Sequence, residues 1–300
     1  DRSFQSRVRR YAGFYTGDSH QSINNFTWGP GGELLFCQGL HAYGHVETPW
    51  GVERLRQAGV WRLRERRLRL DPFLGGDMGP QNPYGITFDE WGRPIVVAGN
   101  GQGIYDLLPA MIRTDHFLRF PQIWDKGGIK FGGADIIGSR HLPEDVQGLL
   151  VSSSFMNNSV YWFRLSEEQS AQRAKDLPPL LTSTHRSFRP VDTKIGPDGA
   201  IYIADWYNPI IGHYQASLRH PDRDKTRGRI WRISAKGRSP EKAPALATLS
   251  VPDLLDQLKS PERWVRQQSK RLLMDRNPDE VFPALEAWIR SVTDERLLLE

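Results

Sequence analysis

Cysteine is almost absent from this chain: Cys37 stands alone in 300 residues. A lone cysteine excludes an internal disulfide, a CxxC metal site and a CxxCH haem attachment within these residues. Long apolar runs are missing as well. Pro94-Ile95-Val96-Val97-Ala98 is among the longest, far short of the roughly 18 residues a membrane-spanning helix needs. Hydrophobic residues make up only 38% of the chain, a supply that suits many small strands better than one thick sandwich. Aromatics are plentiful, with 10 Trp, 13 Phe and 9 Tyr, and that excludes intrinsic disorder.

Charge is mildly positive, with 40 Lys and Arg against 35 Asp and Glu for a net +5. The densest basic run is Trp61-Arg62-Leu63-Arg64-Glu65-Arg66-Arg67-Leu68-Arg69-Leu70. It alternates with period two, placing Trp61 and Leu63, then Leu68 and Leu70, on one face either side of a turn near Glu65-Arg66. The arginines are then the wet face of a hairpin, and no nucleic-acid partner is expected.

A short phrase of turn chemistry followed by a strand recurs. It reads Phe26-Thr27-Trp28-Gly29-Pro30-Gly31-Gly32-Glu33-Leu34-Leu35-Phe36, then Thr87-Phe88-Asp89-Glu90-Trp91-Gly92-Arg93-Pro94-Ile95-Val96-Val97, and best as Lys194-Ile195-Gly196-Pro197-Asp198-Gly199-Ala200-Ile201-Tyr202-Ile203-Ala204, with a weaker copy at Leu142-Pro143-Glu144-Asp145-Val146-Gln147-Gly148-Leu149-Leu150-Val151. Each is a polar turn with Pro or Asp before Gly, feeding a β-rich segment. A spacing of roughly 50–60 residues suits a blade of four strands with long loops. The expectation is a mainly β fold: a partial β-propeller of about four blades of four-stranded antiparallel sheet over residues 1–235, incomplete at its N-terminus.

Composition then shifts. Residues 236–248, rich in Lys, Ser, Pro and Ala, read as a linker. Residues 249–300 read as the start of an α-helical, HEAT-like repeat. Ser250 caps a helix bearing Leu254, Leu255 and Leu258; Trp264, Val265, Leu272 and Leu273 form the next stripe; Asn277-Pro278 precedes a third helix with Val281, Phe282, Leu285, Trp288 and Ile289. Arg263, Arg266, Lys270 and Arg271 share one helix side, for which a solvated face is the default.

Several positions carry candidate chemistry. His41 and His45 are four apart but enclose Ala42-Tyr43-Gly44, which reads as loop, so hydrogen bonding that pins the loop is favoured over a zinc pair. His45 remains a candidate at the mouth of a propeller. Asp205, Trp206 and Asn208 follow a strand end and together suit a sugar platform, since a ring face stacks on a pyranose while carboxylate and amide bind hydroxyls. An Asx-turn into Pro209 explains Asp205 and Asn208 equally well.

Three phrases resemble the exported "membrane-bound dehydrogenase" propellers, a family built as propeller, HEAT-like helices and a terminal cytochrome c module. They are His45-Val46-Glu47-Thr48-Pro49-Trp50-Gly51, Phe188-Arg189-Pro190-Val191-Asp192, and Gly196-Pro197-Asp198-Gly199-Ala200-Ile201-Tyr202-Ile203-Ala204-Asp205-Trp206-Tyr207-Asn208-Pro209. The resemblance implies a periplasmic or otherwise exported protein that passes electrons to a cytochrome c, with haem only on a part of the longer chain. The stretch Ser19-His20-Gln21-Ser22, with Trp28-Gly29-Pro30-Gly31-Gly32 and Gln38-Gly39, is distantly similar to soluble PQQ-dependent sugar dehydrogenases. That likeness implies His20 as the base taking a proton from the C–OH of a carbohydrate or polyol. It implies Gln81, Asn82 and Arg189 as contacts to PQQ, and Gly101 and Gln102 as carbonyl ligands of Ca²⁺. Four positions depart from the pattern: Ser19 replaces an aspartate, Gln81 an arginine, Met156 or Asn157 a lysine, and Arg189 lacks a second arginine beside it. The competing expectation is a non-catalytic propeller that binds a glycan or protein.

Overall fold

The computed structural model describes residues 8–17, 21–75, 79–107, 120–124, 126–169, 171–212 and 217–300. Sheet one contains β1 (Asn24–Trp28), β2 (Leu34–Gln38), β5 (Gly59–Arg64) and β6 (Arg69–Gly75), in that order, and a separate hairpin of β3 (Tyr43–Thr48) and β4 (Gly51–Arg56) leaves it after β2. Sheet two is β7 (Pro83–Phe88), β8 (Pro94–Ala98), β9 (Ile104–Asp106) and β10 (Gln122–Trp124). Sheet three is β11 (Ala134–Ile136), β12 (Leu150–Ser154), β13 (Ser159–Glu168) and β14 (Ala171–Asp176), with the short β15 (Leu181–Thr182) also on β13. Sheet four has β16 (Pro190–Ile195), β17 (Ile201–Asp205) and β18 (Arg229–Ile233), three strands where four were expected.

The recurring phrase is one turn built three times. Gly29 N–H donates to Glu33 O, Asp89 N–H to Arg93 O and Gly196 N–H to Ala200 O; each turn is tightened by a second bond, from Gly32, Gly92 and Gly199 back to the turn's first residue. Those three glycines share φ values of +76°, +78° and +78°, a left-handed backbone that a Cβ penalises. The arginine-rich run is the hairpin expected, with Leu63 opposite Leu70. Two details differ. Leu68 occupies the turn itself at φ +46° and is exposed, and Arg62 and Arg64 turn onto the buried carboxylate of Asp71 at 2.8 and 3.4 Å in place of facing water.

Period-two alternation gives each sheet two apolar faces, and the sheets stack through them. Leu35, Val60 and Leu74 meet Ile86, Val96 and Leu107 between sheets one and two. Ile95, Val97 and Trp124 meet Phe131, Leu150 and Phe163 between two and three. Val151 and Val160 meet Ile201 and Ile203 between three and four. The other face of sheet one is covered by its own hairpin, through Val46 and Leu55. Sheets four and one meet only by polar contacts among the described residues: Asn25 Nδ2 to Asp192 Oδ1 at 3.4 Å and Lys194 Nζ to Thr27 Oγ1 at 3.3 Å. The result is a curled, mainly β body whose first strands, β1, β7, β11 and β16, line a common axis.

Helices α1 (Val251–Asp256), α2 (Arg263–Asp275) and α3 (Pro278–Ser291) follow an irregular stretch. Ser250 Oγ accepts from Asp253 N, the expected N-cap, and Asn277 Oδ1 accepts from Asp279 N, so the Asn277-Pro278 break also caps the third helix. Leu254, Leu255, Leu258, Val265, Leu273 and Trp288 form their core. A HEAT-like repeat is not shown; the described residues hold three α-helices, the first of six residues. The basic side of α2 is not a solvated face. Arg263 N and Nη2 donate to Gly138 O and Phe88 O, Arg271 stacks 3.8 Å from the Trp28 ring centre, and the helices thereby sit against the sheet turns. Long arginine stems bury well beside apolar surface while their heads find carbonyls and rings.

Candidate functional site

Because β1, β7 and β16 run toward the helices, their starts, with the ends of β2, β8 and β17, form the opposite pole. Asn82, Gln81, Gly101, Gln102, Arg189, Asp205, Trp206 and Asn208 all belong to that pole. His20 lies outside the described residues. His45 does not join the group: it is an exposed residue of β3, its N–H held by Gly13 O at 3.0 Å.

The pole is built of amides and glycines. Gly39 N–H donates to Gln21 O at 2.9 Å, and His41 N–H to Gln21 Oε1 at 2.7 Å. A Cβ on Gly39 would stand 2.6 Å from Asn82 Oδ1 and 2.7 Å from Gln21 Cβ, so glycine is required for these side chains to converge. Gln21 and Asn82 are both buried, and Asn82 Oδ1 has no hydrogen-bond partner. A buried amide oxygen left unpaired costs about 1–3 kcal/mol, a deficit that a hydroxyl donor would remove. Asn82 is fixed from behind, its carbonyl accepting from Gly99 N at 2.7 Å. Gln81 is exposed, its N–H donating to Gln102 Oε1 at 3.0 Å.

Nearer the axis, Asn25 joins three sheets from a left-handed backbone of φ +48°. Its Oδ1 accepts from Ile86 N at 3.1 Å while its Nδ2 reaches Asp192. Gly133 makes room for them, since a Cβ there would lie 1.6 Å from Asp192 Oδ1. Sequence reading passed over Asn25; an asparagine inside a strand carries no spacing signal that marks it.

Arg189 is the most heavily engaged member of the pole. Its Nε donates to Asn208 O at 3.0 Å, Nη1 to Phe155 O at 2.9 Å and Nη2 to Pro209 O at 3.3 Å. Its guanidinium therefore clamps the 155–158 and 208–209 loops, and burial pulls its pKa below the usual arginine value. Asp205 is equally committed. Oδ1 accepts from Arg189 N and Tyr207 N at 2.8 and 2.9 Å, Oδ2 accepts from Trp231 Nε1 at 3.0 Å, and Arg229 Nε lies 3.1 Å from Oδ2. Asn208 is buried, with Oδ1 accepting from Ile210 N at 3.1 Å; both are the Asx-turns that the sequence left open. Trp206 is 45% exposed and offers a ring face. Tyr207 stacks on His185 at 5.8 Å, and the Arg229 guanidinium lies 3.7 Å from its ring centre.

As a cradle for PQQ these residues do not fit. Every nitrogen of the single arginine already donates to a loop oxygen, so it offers no free fork to the quinone's carboxylates. The Gly101 carbonyl already accepts from Gly128 N at 3.2 Å and that of Gln102 from the Gln122 amide. No cluster of three or more His, Cys, Asp or Glu suited to a metal ion occurs among the described residues.

Residues 130–237 match a domain family described only as a domain of unknown function, DUF7133. No curated protein matches. Among solved structures, the chain is similar to a putative oxidoreductase (glucose dehydrogenase) of Thermus thermophilus, at 16% identity and TM-score 0.41, covering 61% of this chain and 58% of that one. It is also similar to the PQQ-bound aldose sugar dehydrogenase of Streptomyces coelicolor, at 11% identity and TM-score 0.42, covering 71% and 62%. A third is regucalcin, a calcium-binding protein of Agrobacterium tumefaciens, at 12% identity and TM-score 0.37, covering 61% and 52%. The chain thus spans less than two thirds of each of these proteins. No helix among the described residues is long and apolar enough to cross a membrane.

Proposed function

We propose that the pole opposite the helices recognises a carbohydrate or other polyol. The observation that carries this reading is the buried, unpartnered Oδ1 of Asn82, held against Gln21 across Gly39. It is a neutral acceptor in a neutral amide setting, and it takes a hydroxyl without an ionic penalty. Trp206 supplies an exposed ring face of the kind that packs on a pyranose. The charged groups nearby are engaged within the protein, which favours an uncharged ligand over a tricarboxylate quinone. The experiment is calorimetric titration of the protein with a panel of neutral sugars, beside Asn82→Ala. Saturable binding weakened about tenfold by the substitution, with the melting temperature retained, supports the reading. No binding by any sugar, or an Asn82→Ala protein that binds as the parent does, overturns it.

Dehydrogenation is the second reading, favoured by the phrase at Ser19-His20-Gln21-Ser22 and its likeness to the sugar dehydrogenases. In that case His20 takes the hydroxyl proton of the same bound sugar, and the exported location and cytochrome partner implied by the resemblance come with it. This reading requires the quinone to be held without a free Arg189 fork, and dye reduction by protein supplied with PQQ and Ca²⁺, abolished in His20→Ala, is its signature. Sugar binding without dye reduction leaves recognition alone.

A further inference from the structure

The helix-covered pole holds a different cavity, a cleft of about 920 Å³ between sheets two and three and the start of α2. That is within the roughly 300–1,000 Å³ of small-molecule sites. Five guanidinium groups and three carboxylates line it. Most of this charge is internally matched. Arg93 pairs with Asp89 at 2.6 Å and Glu167 at 2.8 Å, Arg296 with Glu90 at 3.4 Å, and Arg266 with Glu300 at 2.7 Å.

Two cations are left over. Arg263 has one partner, the carbonyl of Phe88 at 2.6 Å, and no carboxylate within ion-pair distance among the described residues. Arg164, on β13, likewise donates only to a carbonyl, that of Asp145, at 2.5 Å. Burial pulls the Arg263 pKa down, and the carboxylates of Asp135, Glu300 and Asp89 oppose that only from beyond ion-pair distance. A desolvated guanidinium is costly until an anion meets it, and its planar fork fits the paired oxygens of a carboxylate or phosphate. Neither residue touches the Asn82 pole.

We infer that this cleft binds a small molecule bearing a carboxylate or phosphate group, with Arg263 and Arg164 as its cationic contacts. Calorimetric titration with inorganic phosphate and separately with malonate, against sodium chloride at matched ionic strength, tests it. At least one of the two anions is expected to bind saturably, and the tighter one tells which oxyanion the cleft is shaped for. Arg263→Met keeps much of the stem that packs on the sheets and is expected to weaken binding about tenfold or more. Arg164→Met, at an exposed strand position, keeps the test decisive should Arg263→Met fail to fold. Arg186→Met, at the other pole, is expected to bind as the parent does. No saturable binding by either anion beyond chloride overturns the inference. So does undiminished binding in Arg164→Met together with an Arg263→Met protein that is unaffected or unfolded.

Discussion

Asp106 should be a liability at neutral pH, and replacing it with asparagine should stabilise the protein. The carboxyl sits at the end of β9 with 1% of the residue exposed, and neither oxygen has a hydrogen-bond partner. Its neighbour Gln172 is also buried with an unpaired Oε1, while its Nε2 donates to Asp89 Oδ2 at 3.0 Å. Burial raises the Asp106 pKa above its ordinary value, against the lowering effect of Arg93. The sign follows from proton counting. Above the unfolded value of 3.8 the folded form holds more protons than the unfolded one, so stability falls as pH rises through the window up to the folded pKa. Asp106→Asn removes the charge and supplies two donors. An unsatisfied buried polar group costs about 1–3 kcal/mol, so we expect a gain of about 1–2 kcal/mol at pH 7.5, or roughly 2–4 °C in Tm. Urea denaturation at pH 4 and pH 7.5 reads it: the advantage is small at the lower pH and full at the higher. A variant that is less stable at pH 7.5, or equally improved at both, refutes the reasoning.

Arg189→Met strips the donors from three loop carbonyls and should cost about 2–4 kcal/mol in urea denaturation, with Arg189→Lys recovering less than half, because one ammonium cannot span carbonyls on two loops. Gly199→Ala places a Cβ 2.1 Å from Ser139 Oγ at φ +78° and should lower stability by about 3 kcal/mol or more. Gly237→Ala, at a similar φ of +77° but with nothing within 4 Å, should cost only about 1–2 kcal/mol; equal losses for the two would show that sterics at Ser139 are relieved by movement. Cys37 is fully buried, and burial pushes its thiol far above the ordinary range. It should resist a disulfide reagent in the native protein and react stoichiometrically in denaturant; rapid native reaction would mean that the interface of sheets one and two opens readily.

The repeated turn was readable because its chemistry is local. A left-handed glycine after Pro or Asp forces the same chain reversal wherever it occurs, and three copies register three hairpins. The helix cap Ser250 was readable for the same reason. Long-range partners were not. Nothing in the spacing of Arg62, Arg64 and Asp71 says that two arginines converge on one buried carboxylate, and nothing in the basic stripe of α2 says that sheets lie beneath it. The β3–β4 hairpin was missed because Gly44 reads as loop, whereas its role is to let the strand pass Trp61, whose ring a Cβ would approach to 2.3 Å. At the amide pole the sequence singled out Asn82 and Arg189 by likeness. Their opposite states, one oxygen unpaired and one guanidinium engaged at every nitrogen, depend on neighbours that no motif encodes.

The seam where the last sheet touches the first through Asn25 and Lys194 has a mechanical consequence. Apolar cement fills the other three junctions, so the ring behaves as a horseshoe with its two tips resting together. Such a clasp would be the first place to part on heating or under salt, before the packed sheets loosened.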